Sequence, residues 1–399
     1  MITLSFIDKL LDGAEVEWKA LGEVAEYSKT RVDTTTLDAT SFVGVDNLVA
    51  NKGGRVDADY SPNTSRITAY QQGDILLGNI RPYLKKIWKA TSSGGCSGDV
   101  LAIRILDECK PHISSDFLYY LLSSDGFFSY NMQHVKGAKM PRGNKTAIMM
   151  YPIPIPCPEN PEKSLEIQAE IVRILDTFTE LTTELTTELT TELNARKKQY
   201  NYYRDQLLSF DEGEVEWKTL GKIALINTGQ KPSEILSDAT DFDYINAGTT
   251  RSGYAAGSNC EGDTVTTPSR GQGGIGYVGY QQEAFWLGPL CYKMRSLDES
   301  LLVNKYLFYF LQSRKKLLLG LKKEGGVPAV NKTDLAKLEI PVPSLSRQKH
   351  IVAILDNFYT LTNSISEGLP REIELRQKQY EYYRDLLLSF SQSEVMEGV

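Results

Sequence analysis

Two short basic segments in the first half of the chain carry residue types that could bind a nucleic acid. NIRPYLKKIWK at 79–89 has four cations and no acid, and QHVKGAKMPRGNK at 133–145 has four more cations. Lys and Arg neutralise phosphates, while Asn and Arg can form paired hydrogen bonds with the edges of adenine and guanine. The residues predicted here to contact DNA are Asn79, Arg81, Tyr83, Lys85, Lys86, Lys136, Lys139, Arg142, Asn144 and Lys145. The alternative interpretation is that both segments are solvated surface turns.

The second half of the chain has a different pair of segments at the corresponding places. TTPSRGQGGIGYVGY covers 266–280, and RKKLLLGLKKEGG at 314–326 has five cations to one acid. The basic character is therefore retained while the loop residues change, which is what two readers of different sequences would need. The residues predicted to contact DNA in this half are Ser269, Arg270, Gln272, Tyr277, Lys322, Lys323 and Lys332.

The chain offers little that could catalyse a reaction. Gly271, Gly273 and Gly276 spell GxGxxG, but no helix pattern follows and no βαβ unit surrounds them. A loop that approaches a DNA groove, or an ordinary flexible turn, is the preferred interpretation. The three histidines are isolated, and no nucleophile elbow, P-loop, HExxH motif or metal-carboxylate spacing is present. The five cysteines are scattered without CxxC spacing, which favours free thiols over a zinc site. The sequence gives no positive indication of catalysis.

Composition sets broad limits on the class of protein. The 399 residues are 41% hydrophobic and 24% charged, as in ordinary globular proteins with two or three domains. A net charge of −7 argues against a wholly basic nucleic-acid coat, although it leaves room for local basic patches. No apolar run is long enough to span a bilayer, and the N-terminus lacks the pattern of a signal peptide. We expect a cytoplasmic protein.

Internal repeats show which elements must position the basic segments. EVEWKALGEVA at 15–25 returns as EVEWKTLGKIA at 214–224, and IVRILDTFTEL at 171–181 returns as IVAILDNFYTL 180 residues later. Each half is therefore a mixed domain, rich in strand-forming residues, followed by a helix. The N-terminal FIDKLLDG resembles the end of the first helix. We predict a circularly permuted tandem repeat with approximate two-fold symmetry.

The first repeated helix is predicted to be unusually long. Residues 161–210 contain no internal Gly or Pro after Pro161 and include three TTEL repeats, and Asn160 is placed to cap the helix. A second helix is predicted after Ser344, with a kink or break where Gly368 and Pro370 replace the TTEL tract. Both helices carry apolar stripes, which predicts that they pack as an antiparallel pair.

These segments together resemble the DNA specificity subunit of type I restriction-modification enzymes over essentially the full chain. The resemblance is carried by EVEWxxLG in each half, GDILLGNIRPYLKK, KGAKMPRGNK, IPIPCPENPEKSLEIQAEIVRILD and RKKQYNYYRDQLLSF. It implies an α+β fold, in which two mixed α/β target recognition domains are separated by two long antiparallel helices. The corresponding ranges are 1–13, a helix end that completes the repeat; 14–155, the first recognition domain; 156–212, the spacer helix; 213–343, the second recognition domain; and 344–399, the second spacer helix.

The resemblance also implies a role and partners. Each recognition domain would read one half of a split DNA site, and the TTEL repeats would set the length of the unread spacer. Two methyltransferase subunits, and restriction subunits, would join the chain on double-stranded DNA. The chain itself would hold no cofactor, because S-adenosylmethionine, ATP and Mg would be bound by the partner subunits. The second half departs from the first, with SLSRQKH and SEGLPRE in place of the equivalent segments, so the half-sites should not be palindromic.

Two other classes of function remain as alternatives. A self-sufficient DNA methyltransferase or nuclease would need a cofactor pocket and an acidic or Asn-Pro-Pro-aromatic motif, which the sequence lacks. A coiled-coil scaffold that binds proteins would leave the paired basic segments without a purpose. A non-catalytic DNA-reading subunit accounts for more of the chain than either alternative.

Overall fold

The computed structural model describes residues 6–211, 213–239, 242–271, 273–323, 327–363 and 367–390. The chain divides into two compact units, with boundaries between Thr186 and Thr187 and between Ile373 and Glu374. The first unit therefore contains the described residues of both chain ends, and the second contains the middle of the chain.

The described residues form twelve α-helices and nineteen strands, together with short 3-10 turns at Thr34–Thr36, Pro82–Leu84 and Asp107–Cys109. The helices are α1 (Phe6–Leu11), α2 (Leu21–Val24), α3 (Ser115–Ser123), α4 (Asp125–Gln133), α5 (Lys145–Met149), α6 (Pro161–Leu207), α7 (Leu220–Ile223), α8 (Asn304–Ser313), α9 (Lys315–Gly320), α10 (Lys332–Leu335), α11 (Leu345–Asn363) and α12 (Gly368–Leu387). The strands are β1 (Val16–Ala20), β2 (Ala25–Tyr27), β3 (Arg31–Asp33), β4 (Phe42–Val43), β5 (Arg66–Tyr70), β6 (Ile75–Gly78), β7 (Ile87–Lys89), β8 (Gly94–Cys96), β9 (Val100–Ile105), β10 (Pro152–Pro156), β11 (Glu216–Thr219), β12 (Ala224–Thr228), β13 (Phe242–Ile245), β14 (Tyr254–Ala255), β15 (Thr264–Pro268), β16 (Gly279–Gln281), β17 (Trp286–Leu287), β18 (Cys291–Ser296) and β19 (Glu339–Val342).

The main sheet has the same strand order in the two units. An antiparallel sheet with the order β2-β9-β6-β7 in the first unit has its counterpart in β12-β18-β15-β16 of the second. A second sheet differs, being four-stranded in the first unit (β3-β5-β8-β4) and three-stranded in the second (β14-β13-β17). The mixture of helices and sheets confirms the predicted α+β class, and the matching order confirms the duplication. The divergence lies mainly in the second sheet.

A two-stranded ribbon in each unit joins the strand that contains the EVEW motif to the strand just before α6 or α11. β1 pairs antiparallel with β10 so that Trp18 lies opposite Pro154, and β11 pairs with β19 so that Trp217 lies opposite Pro341. The EVEW and IPxP motifs are therefore strand partners in both units. Proline is compatible with these ribbons because each strand has a free edge, on which no N–H is required.

Helix α6 follows its predicted boundaries closely. Asn160 accepts a hydrogen bond from the backbone N–H of Lys163 at 3.1 Å, and Pro161 is the first residue of the helix. The threonine hydroxyls of the TTEL tract bond within the helix, as when Thr186 Oγ1 donates to the carbonyl of Thr182 at 2.7 Å. Such bonds satisfy hydroxyls within the helix itself. The 47 residues of α6 give it a length of about 70 Å.

The second long segment is broken, as the sequence predicted. Helix α11 ends at Asn363, and α12 begins at Gly368, whose φ of +76° is a left-handed conformation that favours glycine. In the first unit, α6 and α12 run antiparallel, because Thr179 bonds Tyr380 while the earlier residue Phe178 stacks on the later residue Tyr383.

Each unit has its own core, to which its part of the long helices contributes. Ile171 and Leu175 of α6 are fully buried in the first unit among residues of the β2-β9-β6-β7 sheet and of α3 and α4. Ile351 and Leu355 of α11 occupy the same place in the second core. Burying each such side chain contributes roughly 1.5–3 kcal/mol. Of the helices that the structure describes, none is both long and apolar enough to cross a membrane.

Candidate nucleic-acid interface

The two basic segments of the first unit lie side by side, although about 60 residues separate them in sequence. The N–H of Arg81 donates to the carbonyl of Pro141 at 2.7 Å, and the N–H of Gly143 donates to the carbonyl of Asn79 at 2.9 Å. Ile80 and Arg142 form a β-bridge between these two contacts. Within the second segment, Lys136 forms another β-bridge with Arg142. The segments predicted separately therefore form one surface, which we call the first basic surface (residues 79–86 and 136–145).

The side chains of this surface differ in exposure. Arg81, Tyr83, Lys136, Lys139, Arg142 and Lys145 are exposed, Lys85, Lys86 and Asn144 are half-buried, and Asn79 is buried with 5% of its surface accessible. Asn144 accepts a hydrogen bond from the N–H of Thr146 at 3.2 Å and so caps α5. Lys145 lies over the ring of Tyr27 at 5.9 Å. The exposed group is the part of the prediction best placed to meet a ligand.

Several of the cations have protein partners that the sequence did not reveal. Arg142 makes a forked contact with Asp99, with Nε donating to Oδ1 at 3.0 Å, and this hydrogen bond raises the pKa of the guanidinium. Lys86 Nζ donates to the carbonyl of Val45 at 2.7 Å, and Lys85 Nζ contacts Asp125 at 2.6 Å. No local sequence signal connects these groups, because each pair is at least 40 residues apart.

The second unit repeats the same backbone arrangement with different side chains. Gly271 donates its N–H to the carbonyl of Pro328 at 3.1 Å, and Val330 donates to the carbonyl of Ser269 at 2.9 Å. Between these contacts Arg270 forms a β-bridge with Ala329, and Lys323 forms another β-bridge with Ala329. We call this the second basic surface (residues 269–271, 322–323 and 327–332).

The predicted residues of the second unit are placed as follows. Arg270, Lys322, Lys323 and Lys332 are exposed, Tyr277 is 39% exposed, and Ser269 is buried. Lys323 Nζ lies 2.9 Å from Asp334, and Lys332 Nζ donates to Asn227 at 3.0 Å. Burial raises the pKa of Tyr277. Gln272, which was also predicted to contact DNA, lies outside the described residues.

The two basic surfaces place arginine on opposite strands of the same bridge. In the first unit Ile80 faces Arg142, and in the second Arg270 faces Ala329. An apolar residue in one unit thus stands where the other has its guanidinium. One scaffold therefore presents two different patterns of hydrogen-bond donors.

The described residues hold no group of three or more His, Cys, Asp and Glu side chains that could bind a metal ion. The thiols of Cys96 and Cys291 are buried, and burial raises the pKa of each to about 12. Such thiols are poor nucleophiles at neutral pH because the reactive thiolate is scarce.

A second kind of surface, built on exposed tyrosine rings, is present in each unit. In the first unit Phe178 stacks on Tyr383 with ring centroids 5.8 Å apart, and Tyr382 meets Tyr383 edge-on at 5.4 Å. In the second unit Phe358 stacks on Tyr203 at 5.8 Å, and Tyr202 meets Tyr203 at 5.4 Å. Tyr382 and Tyr202 are 64% and 62% exposed. We call these two sets the aromatic ladders.

Comparison with known proteins connects this architecture to one family. Residues 14–195 and 212–375 match the family described as type I restriction modification DNA specificity domain. The type I restriction enzyme EcoR124I/EcoR124II specificity subunit of Escherichia coli is 37% identical over 99% of this chain and 100% of its own length. A putative type I restriction enzyme specificity subunit of Haemophilus influenzae is 33% identical over 97% of this chain and 99% of its own.

Solved structures agree at the level of the fold. A chain from a study of complex assembly and conformational transition in the type I R-M system aligns with a TM-score of 0.67 at 20% identity, covering 94% of this chain and 97% of that one. The S subunit of a type I restriction-modification system from M. genitalium aligns with a TM-score of 0.53 at 15% identity, covering 96% and 98%.

Proposed function

This chain belongs to the family of type I restriction-modification DNA specificity domains, and we propose that it reads an asymmetric, bipartite DNA site with an unread spacer. In this role it directs adenine methylation or restriction by partner subunits and does no chemistry itself. The observation that carries the proposal is the repeated bridge with arginine on opposite strands, at Arg142 in one unit and Arg270 in the other. Two copies of one scaffold with different donors suit two different half-sites.

The chemistry of both basic surfaces supports DNA as the ligand. Exposed lysines such as Lys136, Lys139 and Lys322 can neutralise phosphates, which gives affinity without sequence preference. Guanidinium groups such as those of Arg81, Arg142 and Arg270 can bond guanine O6 and N7 together in the major groove. Asp99 would orient Arg142 for this contact, because its forked hydrogen bonds fix the plane of the guanidinium.

We further propose that two copies of a methyltransferase subunit bind the chain, and that restriction subunits join this complex. The aromatic ladders support the stoichiometry, since each unit presents the same exposed Tyr-Tyr pair on the same stacked phenylalanine. Exposed tyrosines are typical interface anchors, since a large apolar ring carries one polar tip. S-adenosylmethionine, ATP and Mg would be held by the partners.

The proposed domain limits follow the sequence repeat. They are 1–13 for the end of a helix, 14–155 and 213–343 for the recognition domains, and 156–212 and 344–399 for the spacer helices. The complex would act in the cytoplasm, where its DNA substrate is found.

A matched pair of substitutions tests the proposal. The chain is assembled with its methyltransferase subunits, and the methylated site is determined by sequencing products from a randomised DNA library. Arg142→Ala, or Arg81→Ala, should weaken discrimination in one half-site by ~1–3 kcal/mol, and Arg270→Ala should do so only in the other half-site. Lys139→Ala is the phosphate control, because it should weaken binding to all sequences about equally.

Two results would contradict the proposal. If neither Arg142→Ala nor Arg270→Ala changes any base preference, the two basic surfaces are solvated turns that read no sequence. If the purified chain alone transfers methyl groups from S-adenosylmethionine to DNA, after host methyltransferases are removed, a self-sufficient enzyme is the better description.

A further inference from the structure

One carboxylate in the first unit contacts cations from three separate segments of the chain. Asp125, the first residue of α4, accepts from Lys85 Nζ at 2.6 Å and from Lys52 Nζ at 3.1 Å through Oδ1. Its other oxygen accepts from Arg384 Nη2 of α12 at 2.9 Å. We call Asp125 and these three cations the Asp125 cluster. It connects the first basic surface to the loop containing Lys52 and to the C-terminal end of α12.

The two turns held by this cluster have an unfavourable backbone conformation. Asn51, Lys52, Arg81 and Lys85 have φ values of 54°, 62°, 52° and 50°, and they are four of the seven non-glycine residues with positive φ that the structure describes. The turns are joined directly, because the N–H groups of Asn51 and Lys52 donate to the carbonyls of Leu84 and Lys85 at 2.8 and 2.9 Å. L-residues adopt this conformation infrequently, so contacts around the turns must offset its cost. Backbone hydrogen bonds between the turns and the ionic contacts of Asp125 both act on them.

The cluster is anchored by a buried cation. The side chain of Arg384 is 2% exposed and also contacts Asp385. Burial alone would raise the pKa of Asp125, but the hydrogen bond from Lys85 and the charges of Lys52 and Arg384 outweigh burial and hold that pKa well below its usual range. Asp125 is therefore ionised at neutral pH, and its loss would leave three cations close together.

In the second unit, the position equivalent to Asp125 carries no carboxylate. The equivalent positions of the two units can be identified from two matching hydrogen bonds. Tyr120 donates to Asp176 in the first unit, and Tyr309 donates to Asp356 in the second. Counting five residues onward from each tyrosine, Arg314 stands where the first unit has Asp125. Arg314 instead donates to the carbonyl of Leu208 at 3.3 Å. A carboxylate at this position is therefore specific to the first unit.

We propose that Asp125 is a positioning residue for reading the first half-site, because it holds the turn of residues 81–85 in the conformation that presents Arg81 and Tyr83 to DNA. The inference rests on the proposed function, and it concerns a residue that need not touch DNA itself. The turn carries an exposed guanidinium and an exposed ring at Arg81 and Tyr83, whose directions are set by the backbone. Releasing the turn would leave both groups present but misdirected.

The test uses Asp125→Asn in the assembled methyltransferase complex, since asparagine keeps the size of the side chain and removes its charge. Discrimination of the first half-site should fall roughly 5- to 150-fold, the range expected for one lost base contact. Affinity for non-specific DNA should stay the same or rise, because a negative charge is removed beside two lysines. Discrimination of the second half-site should not change. Asp385→Asn is the matched control, since it removes a carboxylate from the same Arg384 without touching either turn.

A structural effect would give a different pattern from a positioning effect. Equal loss of affinity for cognate and non-specific DNA, or equal loss of discrimination in both half-sites, would overturn the proposal. Hydrogen exchange at the amides of Asn51 and Lys52 should accelerate in Asp125→Asn, and unchanged exchange would also overturn it. If the asparagine variant does not fold, Lys85→Met decides, because Lys85 carries the contact between Asp125 and the turn of residues 81–85. Unchanged first half-site discrimination by Lys85→Met would then refute the proposal.

The outcome is separable from that of the proposed function. If the unaltered complex discriminates neither half-site, the proposed function fails. If the unaltered complex discriminates both and Asp125→Asn leaves this unchanged, only the role of Asp125 is refuted.

Discussion

Two buried glutamines fasten the long helices to the units, and their removal should destabilise one unit at a time. Gln168 of α6 accepts the N–H of Ser114 at 2.9 Å and donates to the carbonyl of His112 at 2.6 Å. Gln348 of α11 accepts the N–H of Val303 at 2.9 Å and donates to the carbonyl of Leu301 at 2.8 Å. Ser114 and Val303 are the N-cap residues of α3 and α8. Each glutamine therefore satisfies a helix entrance in its own unit.

The size of the effect follows from the groups left behind. Gln168→Ala would leave the backbone N–H of Ser114 without its partner in a site where the glutamine side chain is fully buried, while the carbonyl of His112 keeps a hydrogen bond from Ser164 Oγ at 3.3 Å. An unsatisfied buried group costs about 1–3 kcal/mol, so the variant should lose about that much unfolding free energy. That is a large share of the ~5–15 kcal/mol that stabilises a typical domain. Gln348→Ala should have a similar effect on the second unit.

Urea unfolding, monitored by hydrogen exchange and mass spectrometry, measures the loss of stability in each unit separately. Exchange should rise at the start of α3 in Gln168→Ala and at the start of α8 in Gln348→Ala, so each variant is the control for the other. Gln133→Ala, at an exposed position, should change stability by no more than about 0.5 kcal/mol. Loss of less than about 1 kcal/mol in Gln168→Ala, or equal destabilisation of both units by either variant, would refute the reasoning.

Two further predictions concern packing and thiol chemistry. At pH 8, iodoacetamide should modify the half-buried Cys109 and Cys157 well before Cys96 and Cys291, because a pKa of about 12 leaves the buried pair very little thiolate. Mass spectrometry of tryptic peptides reports the order of labelling. Rapid labelling of Cys96 in the native chain would contradict this prediction. Gly94→Ala should destabilise the first unit by ~1–3 kcal/mol or more in urea unfolding, because a Cβ at this position would lie 2.0 Å from the carbonyl oxygen of Ser41. Gly98→Ala is the control, because a Cβ there meets open space and should cost little stability. Similar losses in the two variants would contradict the packing argument.

The local features of this fold could be predicted from the sequence because their causes are local. The cap at Asn160, the absence of breakers and the apolar stripe predicted a helix over 161–210, and the structure has one at Pro161–Leu207. Gly368 predicted the break, which lies where its positive φ is needed. The repeated EVEW and IPxP motifs predicted matching halves, and they are strand partners in both units.

The arrangement of the candidate site depends on contacts that the sequence does not encode locally. The bridge between Ile80 and Arg142 joins segments that are each basic and loop-like, and no hydrophobic pattern specifies their register. Asp125 contacts Lys52, Lys85 and Arg384, but charge alone does not indicate which of many acids pairs with which cation. Which of the predicted residues read bases and which contact phosphates therefore stays a prediction.

The TTEL tract provides a prediction about the unread spacer. Deleting one TTEL repeat, residues 186–189, removes four helical residues and shortens α6 by ~6 Å, with a rotation of ~40° between the flanking parts of the helix. One base pair spans ~3.4 Å of B-DNA, so the spacer between the half-sites should shorten by about one pair, and by two at most. The bases read should not change, because both basic surfaces are untouched.

Methylation of a randomised-spacer library by the deletion complex, followed by sequencing, measures both quantities in one experiment. A double substitution, Thr187→Ala with Thr191→Ala, keeps the length of the tract and should leave the spacer unchanged. If the deletion also leaves the spacer unchanged, α6 does not set the distance. Altered half-site bases would mean instead that the tract takes part in recognition, because a change of helix length alone alters no side chain on either basic surface.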